Sequence, residues 1–419
     1  MELVHPVPVD EAEAWLGALA TTLLGTPWDD VFPLRVDRWK REWDDARTWG
    51  ARDRGRWVAT LATDAATLTI PGPGGTVRTI DADALTAVTV AATHRRRGVL
   101  RQMLTQSLQE AKDRGDAVSI LIAAEWQIYG RFGYAPATWA ADYSYFPRRP
   151  GAAMRPTDTG FVRQVEPDEL VKHAGAIYDR QRSQQPGGID RRGSWWSRRL
   201  GTDGYEPMSA GRGTWVLHES DGPNGGPDGF LCWKPDRDFS LNGTLGSIKV
   251  LEFVAASPTA YRNLWAYLSG IDVIDEIEFS ERPVDEPARW LVGDGRAVHQ
   301  TDLVDDLWLR LLDVPAALGA RGYAAPGRLV IEVVDDDGAG FGAGRFLLDA
   351  DTDGAQVTST TESADLTIGQ RVLASAYLGD RSVRALAVAG GVDEHSAGSL
   401  ARLDAMLVTP RPPYNGTGF

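Results

Sequence analysis

Apolar positions along the first third of the chain follow two different spacings. In DEAEAWLGALATTLLG, residues 10–25, they recur at helical spacing, which predicts a helix that stops at Gly25. Between residues 56 and 90 the runs are strand-like and are separated by the turn PGPGG. A helix over 98–115 and an apolar strand over 117–124 then follow. The alternation of strand, helix and strand predicts an α/β (α+β) fold.

The same patterns divide the chain into regions. A length of 419 residues exceeds one ordinary hydrophobic core, so more than one domain is expected. The segment FPRRPGAAMRP, residues 146–156, has the Pro- and Gly-rich composition of a linker. An apolar-periodic segment at residues 303–323, LVDDLWLRLLDVPAALGARGY, opens the last region. We predict domains at 1–150, 151–298 and 299–419.

Two stretches of the chain are similar to each other. VAATHRRRGVLRQML from Val90 aligns without gaps to VAASPTAYRNLWAYL from Val254, and both carry leucine at the eleventh and fifteenth positions. In this alignment the basic turn Arg95–Gly98 stands opposite Thr259–Arg262. We interpret the second stretch as a copy of the first whose basic turn has been replaced.

The basic turn lies between a predicted strand and a predicted helix. Free backbone N–H groups and the dipole at the start of a helix favour an anion, and Arg96 and Arg97 add charged donors. Gly98 has no Cβ, so a bulky anion can approach the backbone closely. This combination favours a pyrophosphate. A solvated basic turn without a ligand is the alternative that these residues leave open.

The segment VTVAATHRRRGVLRQML, residues 88–104, resembles the acetyl-coenzyme-A signature of the GCN5-related N-acetyltransferases. With IYGRFGYAPAT at residues 128–138 and the final Phe419, it resembles more closely the enhanced-intracellular-survival (Eis-type) acetyltransferases of actinobacteria. The resemblance covers nearly the whole chain. It implies tandem acetyltransferase folds, the second degenerate and without a cofactor site, and a sterol-carrier-protein-like domain at 299–419 that supplies the C-terminal carboxylate.

Carried over residue by residue, the resemblance implies a set of cofactor contacts and two catalytic groups. The tyrosine at position 129 is expected to protonate the departing thiolate, and the carboxylate of Phe419 to accept the proton of the attacking amine. Tyr134 is expected to pack against the sheet, a role that is also the general alternative for Tyr129. The expected acetyl-coenzyme-A contacts are Val88, Thr89, Val90, Arg96, Arg97, Gly98, Val99, Leu100, Arg101, Ala124 and Glu125.

The implied reaction moves an acetyl group from acetyl-coenzyme A, as co-substrate, to a primary amine of aminoglycoside, polyamine or lysine type. The expected mechanism is direct attack in a ternary complex, without a metal, and the family implies a homohexamer. The residues EWQI before Tyr129 are bulkier than the glycine-rich segment expected there, which bears on the width of the acceptor channel. The alternative is a non-catalytic scaffold whose third domain binds an apolar ligand.

Composition narrows the partners. A net charge of −14 favours a cationic acceptor and disfavours nucleic acid. No apolar run is long enough to cross a bilayer, so no membrane partner is expected. The single cysteine, Cys232, cannot form an internal disulfide, and the N-terminus shows no basic-then-apolar export pattern. We therefore expect a cytoplasmic protein, with export by a non-standard route left open.

Two other patterns imitate binding sites. The segment DADTDG, residues 349–354, starts like a calcium loop but has Thr360 at the twelfth position, which favours a hairpin, and the six histidines lack metal-ligand spacing. The second pattern could line a cationic pocket, although core packing beneath a solvated acidic face explains it equally well. It consists of Trp28, Trp39, Trp43, Trp49, Trp57, Asp29, Asp30, Asp44 and Asp45.

Overall fold

The computed structural model describes residues 1–25, 31–202, 213–222, 225–240, 245–335 and 341–419. Its strands are β1 Glu2–Val4, β2 Thr48–Asp53, β3 Arg56–Pro71, β4 Val77–Val90, β5 Val118–Ile122, β6 Ala135–Pro136, β7 Trp139–Tyr145, β8 Phe161–Val165, β9 Thr214–Ser220, β10 Gly226–Arg237, β11 Gly246–Ala255, β12 Ile274–Pro283, β13 Val298–Asp305, β14 Leu307–Leu311, β15 Gly327–Val334, β16 Gly344–Ala350, β17 Ala355–Ser359, β18 Leu366–Gly369 and β19 Val392–Glu394. Its helices are α1 Ala12–Thr22, α2 Phe32–Arg41, α3 Val99–Asp113, α4 Trp126–Tyr129, α5 Pro167–Arg182, α6 Trp195–Leu200, α7 Pro258–Ser269, α8 Val314–Ala320, α9 Gln370–Tyr377, α10 Val383–Val388 and α11 Ser399–Leu407. The predicted α/β (α+β) class is confirmed.

The described residues form two compact units. The first contains Met1–Ala137, Leu307–Pro410 and Gly418–Phe419, and the second contains Thr138–Asp306 and Arg411–Thr417. The boundaries of these units differ from those of the domains predicted at 1–150, 151–298 and 299–419. The three domains stay a prediction.

The larger sheet of the first unit has the order β1-β2-β3-β4-β5-β14-β6. Along α3, Leu104, Leu108 and Ala111 are buried and Leu100 is half-buried, as their spacing predicts for a helix that packs on a sheet. Strand β14 lies between β5 and β6 and is antiparallel to both. Part of the apolar segment at 303–323 therefore completes this first sheet instead of opening the last region.

A smaller sheet of the first unit has the order β17-β16-β15-β18-β19. Strands β16 and β17 form a hairpin around DADTDG, and Asp351 N donates to Gly354 O at 2.9 Å. The hairpin that the sequence favours over a calcium loop is confirmed.

The sheet of the second unit has the order β13-β7-β12-β11-β10-β9-β8. Strands β11 and β12 are parallel, and α7 connects them. The aromatic rings of Tyr145, Trp265 and Phe279 are fully buried at the centre of its core. Strand β7 lies in this sheet although it precedes the Pro- and Gly-rich segment at 146–156.

Several N-terminal tryptophans pack against one another in the first unit. The rings of Trp15, Trp39 and Trp43 have centroids 5.4 to 6.3 Å apart and lie at steep angles to each other. Core packing accounts for this part of the tryptophan pattern, while Trp28, Asp29, Asp30 and the side chain of Asp45 lie outside the described residues. None of the helices in the ranges given above combines the length and apolarity needed to cross a bilayer.

Candidate functional site

The basic turn connects β4 to α3 through residues 91–98. Arg96 and Gly98 have left-handed backbone, with φ of 63° and 78°. Gly98 is the N-cap of α3, and its positive φ favours glycine, whereas space does not, because a Cβ there would meet only Gln102 Nε2, at 4.0 Å. In this described stretch no side chain caps the first turn of α3. The N–H groups at the start of the helix are therefore available to a ligand.

Positive charge surrounds this helix end. Arg96 and Arg97 are exposed and form no ion pair within the described part of the chain. The guanidinium of Arg101, one turn into α3, lies 5.4 Å from the ring centroid of Phe132. The first turn of α3 carries no acidic residue. Backbone donors, helix dipole and arginines together favour a phosphate-type anion.

The end of β4 separates from β5 next to this turn. The two strands pair in parallel only where Ala82–Ala84 meet Val118–Ile120, whereas β4 continues to Val90. A bulge interrupts β4 at Ala87, whose φ is 52°, and Thr60 Oγ1 donates to Ala87 O at 2.8 Å. In these described strands the parallel ladder ends before residues 88–90. That edge of β4 is open to an extended ligand with amide groups.

The end of β5 leads into the short helix α4. Ala124 and Glu125 are exposed at this end. Helix α4 ends at Tyr129, which is only 7% exposed. The rings of Tyr129 and Tyr134 meet edge to face, with centroids 6.2 Å apart. Tyr134 is fully buried and its hydroxyl shares a hydrogen bond with Ser119 Oγ at 2.6 Å, so it packs as predicted.

The Tyr129 hydroxyl is protonated at neutral pH. Burial raises the pKa of Tyr129 to about 12, and the Glu125 carboxylate adds to the rise. Within the described chain its hydroxyl has no hydrogen-bond partner. A phenol with this pKa keeps its proton at neutral pH, so Tyr129 is present as a proton donor, although donation to a thiolate, whose thiol has a reference pKa of about 8.5, is uphill.

The C-terminal segment PRPPYNGTGF, residues 410–419, is packed and forms neither a helix nor a strand. Tyr414 N donates to Pro186 O at 2.8 Å, and Thr417 is almost completely buried in the second unit. Gly418 and Phe419 belong to the first unit, the one that carries the basic turn and Tyr129. Phe419 is half-buried. The chain therefore does not end in a frayed, solvated tail.

The second unit contains a strand and helix that correspond to β4 and α3. After β11 only Ala256 and Ser257 precede α7, whereas residues 91–98 separate β4 from α3. The alignment that sets Thr259–Arg262 opposite the basic turn is wrong in this respect, because those residues lie inside α7. Ser257 Oγ accepts from Ala260 N at 3.0 Å and donates to Asp228 Oδ2 at 2.6 Å. This helix start is thus capped by the protein's own side chains.

Two features of the site were not predicted from the sequence. They are the bulge at Ala87 and the left-handed conformation of Arg96. Positive φ at a residue other than glycine is uncommon and is imposed by the surrounding structure, so it cannot be predicted from the residue type.

Comparison with known proteins identifies the family. Two family models described as acetyltransferase (GNAT) domain match residues 4–137 and 187–311, and one described as sterol carrier protein domain matches residues 314–416. An uncharacterised N-acetyltransferase of Streptomyces griseus is 39% identical over 98% of both chains. The N-acetyltransferase Eis of Mycobacterium tuberculosis is 34% identical over 84% of this chain and 83% of its own. The chain belongs to the Eis family of GNAT N-acetyltransferases.

The crystal structure of Eis1 from Mycobacterium abscessus agrees with this assignment. It is 32% identical, covers 100% of both chains and has a TM-score of 0.83. The Eis family resemblance, the two acetyltransferase folds and the sterol-carrier-like domain predicted from the sequence are confirmed, and the protein is an N-acetyltransferase. Membership in the Eis family also implies a coenzyme A thioester as donor and an amine-type acceptor.

Proposed function

We propose that this chain transfers the acetyl group of acetyl-coenzyme A to a primary amine by direct attack in a ternary complex. The observation that carries the proposal is the uncapped, arginine-flanked N-terminus of α3 beside the open end of β4. A helix start of this kind suits a pyrophosphate, and an open strand edge suits an amide-containing arm. Coenzyme A joins these two chemical groups in one molecule.

Each expected cofactor contact then has a physical role. The backbone N–H groups of Val99 and Leu100, with the side chains of Arg96, Arg97 and Arg101, bind the pyrophosphate. Gly98 supplies the left-handed turn that aims these groups at one point. The backbone of Val88, Thr89 and Val90 pairs with the pantetheine arm, while Ala124 and Glu125 border the arm at the end of β5.

Two groups handle the protons of the transfer. After the ammonium form of the acceptor has lost one proton to solvent, the nitrogen of the neutral amine bonds to the thioester carbonyl carbon, the carbon–sulfur bond breaks, and the electron pair leaves with the sulfur. Tyr129 donates its proton to the thiolate, and the carboxylate of Phe419, with a reference pKa of about 3.3–3.7, accepts the proton that the amine loses. Tyr129 is then reprotonated from solvent. The high pKa of Tyr129 keeps its hydroxyl protonated before this step, and the packed tail supports an ordered carboxylate.

The acceptor is a cationic amine of aminoglycoside, polyamine or lysine type. The net charge of −14 supports this class, because an acidic protein concentrates cations around itself. The family further suggests a homohexamer, which light scattering of the purified chain tests by its mass.

An assay of thiol release tests the proposed function. Acetyl-coenzyme A is mixed with the protein and, in turn, with kanamycin, spermine and a lysine peptide, and free coenzyme A is followed over time. Release that depends on both an amine and the protein supports the transferase. No release with any amine, combined with saturable binding of a fluorescent fatty acid, would support the apolar-ligand scaffold instead.

A further inference from the structure

A buried arginine in the second unit grips the end of the C-terminal segment. Arg191 Nε donates to Thr417 Oγ1 at 2.8 Å, and its second terminal nitrogen donates to Gly416 O at 2.6 Å. The remaining nitrogen pairs with Glu252 Oε1 at 3.0 Å. The Arg191 side chain is only 2% exposed. Each of the three guanidinium nitrogens thus donates a hydrogen bond, and two of the three bind the segment that leads to Phe419.

Aromatic rings and a second arginine fix the orientation of Arg191. Its guanidinium carbon lies 3.9 Å from the ring centroids of both Tyr178 and Trp195. Arg199 pairs with the other oxygen of Glu252, at 2.9 Å. Burial alone would raise the pKa of Glu252, but Arg191 and Arg199 outweigh it and hold the pKa below its ordinary value. The carboxylate stays charged and anchors both arginines.

Further contacts restrain the same segment. The Tyr178 hydroxyl shares a hydrogen bond with Thr417 Oγ1 at 2.7 Å and donates to Ile189 O at 2.7 Å. The backbone at Gly187, whose φ is 100°, lies close to this segment. A side chain at position 187 would not fit, because its Cβ would lie 2.9 Å from Tyr414 N. We call Arg191, Tyr178 and Glu252, with their contacts to Gly416 and Thr417, the tail clamp.

A terminal carboxylate needs such a clamp to act as a base. A base must lie within about 2.6–3.2 Å of the heavy atom that carries the proton it removes. Chain ends ordinarily fray, and Gly418 has more backbone freedom than any other residue type. Only Gly418 separates the clamped Thr417 from Phe419. An anchor at Thr417 therefore restricts the motion of the terminal carboxylate two residues further on.

We infer that Arg191 is a positioning residue for acetyl transfer, which acts by clamping Gly416 and Thr417 so that the Phe419 carboxylate is held in place. The inference rests on the proposed role of that carboxylate as the base. Arg191 itself touches no reacting atom in this scheme.

Thr417→Val tests the clamp with little change in shape. It removes the hydroxyl that Arg191 and Tyr178 bind, so kcat should fall by roughly tenfold, which corresponds to about 1.4 kcal/mol, while KM for acetyl-coenzyme A stays unchanged. Thr417→Ser keeps the hydroxyl and should retain kcat. Thr157→Val is the matched control, because Thr157 Oγ1 bonds to Thr159 O and Asn263 Oδ1 in the same unit, away from the tail.

A readout without catalysis checks the same point. Carboxypeptidase A should release Phe419 faster from Thr417→Val and from Arg191→Lys than from the wild-type chain or Thr157→Val, as followed by intact mass. Equal release rates in folded variants would overturn the clamp.

Deletion of Phe419 separates a failure of the clamp from a failure of the proposed base. If deletion abolishes transfer and Thr417→Val in the full-length chain lowers kcat while Thr417→Ser and Thr157→Val keep it, both the base and the clamp are supported. If deletion abolishes transfer but Thr417→Val and Arg191→Lys keep full kcat, the clamp is wrong and the base stands. If deletion leaves kcat intact, the base is wrong and the clamp falls with it.

Discussion

Tyr129 and Tyr134 meet edge to face with their ring centroids 6.2 Å apart, yet the two hydroxyls have different surroundings. The Tyr134 hydroxyl is bonded to Ser119 Oγ at 2.6 Å, whereas the Tyr129 hydroxyl has no partner in the described chain. One motif thus supplies a tyrosine whose hydroxyl is bonded inside the core and a tyrosine whose hydroxyl is not.

Tyr129→Phe should lower kcat by about a hundredfold or more, since the thiolate loses its proton donor. The affinity for coenzyme A should stay the same, because the ring still packs. Tyr134→Phe is the control: it should keep kcat and lower the free energy of unfolding by about 0.5–1.5 kcal/mol. Steady-state thiol release and thermal unfolding measure both effects. An unchanged kcat in Tyr129→Phe would mean that water supplies the proton.

Gly98→Ala should weaken coenzyme A binding at least tenfold, because alanine disfavours the left-handed backbone that aims the start of α3 at the pyrophosphate. Gly115→Ala is a matched control at the other end of α3: its φ is 95° and its surroundings are equally open. Both variants carry a similar backbone strain, so isothermal titration with coenzyme A separates strain from loss of the site. Equal affinities for coenzyme A in the two variants would mean that the basic turn does not bind the cofactor.

Only one coenzyme A should bind per chain. Helix α7 starts directly after Ser257, which caps it, and no turn comparable to residues 91–98 precedes it. Calorimetric titration should give a stoichiometry of one, and Arg96→Ala should weaken that single event. A second equivalent site would contradict the degenerate second fold.

Extension of the chain beyond Phe419 should abolish acetyl transfer, because the terminal carboxylate becomes a peptide bond. Deletion of Phe419 should have the same result, and in both cases the protein should fold and bind coenzyme A. An N-terminal tag of the same length is the control and should leave kcat unchanged. If the C-terminally extended protein turns over at the normal rate, Glu125 acting through a water becomes the next candidate for the base.

Asp306→Asn should stabilise the protein at pH 8 and leave it unchanged at pH 4. Burial raises the pKa of Asp306 from 3.8 to about 7, and its carboxyl accepts from Thr138 Oγ1 at 3.1 Å. Because the folded state holds this proton more tightly than the unfolded state, the contribution of Asp306 to stability declines as the pH rises from about 4 to about 7. Asparagine cannot ionise and removes this decline. Melting temperatures across that range measure it, with the exposed Asp302→Asn as control; parallel curves for wild type and Asp306→Asn would contradict the prediction.

Local patterns in the sequence predicted the local parts of the site. The basic turn at the start of α3 and the buried face of that helix each depend on residues close together in the chain. The contacts of Arg191 with Thr417 and Glu252 join residues far apart in sequence, and no periodicity reports them. Thr259–Arg262 were set opposite the basic turn although they lie inside α7, because an alignment without gaps cannot represent a turn of a different length. The roles of the expected cofactor contacts, of Tyr129 and of Phe419 stay predictions.

Strand β14 has a consequence for how the protein is made. The first sheet contains residues 307–311 between β5 and β6, so the ribosome must synthesise residues 138–306 of the second unit before that sheet can close. Until then the edge of β5 stays unpaired, and an unpaired apolar strand edge invites association with other chains. A gene fragment that encodes only residues 1–137 should therefore yield insoluble protein. Co-expression of a fragment that begins before β14 would be needed to complete the missing strand.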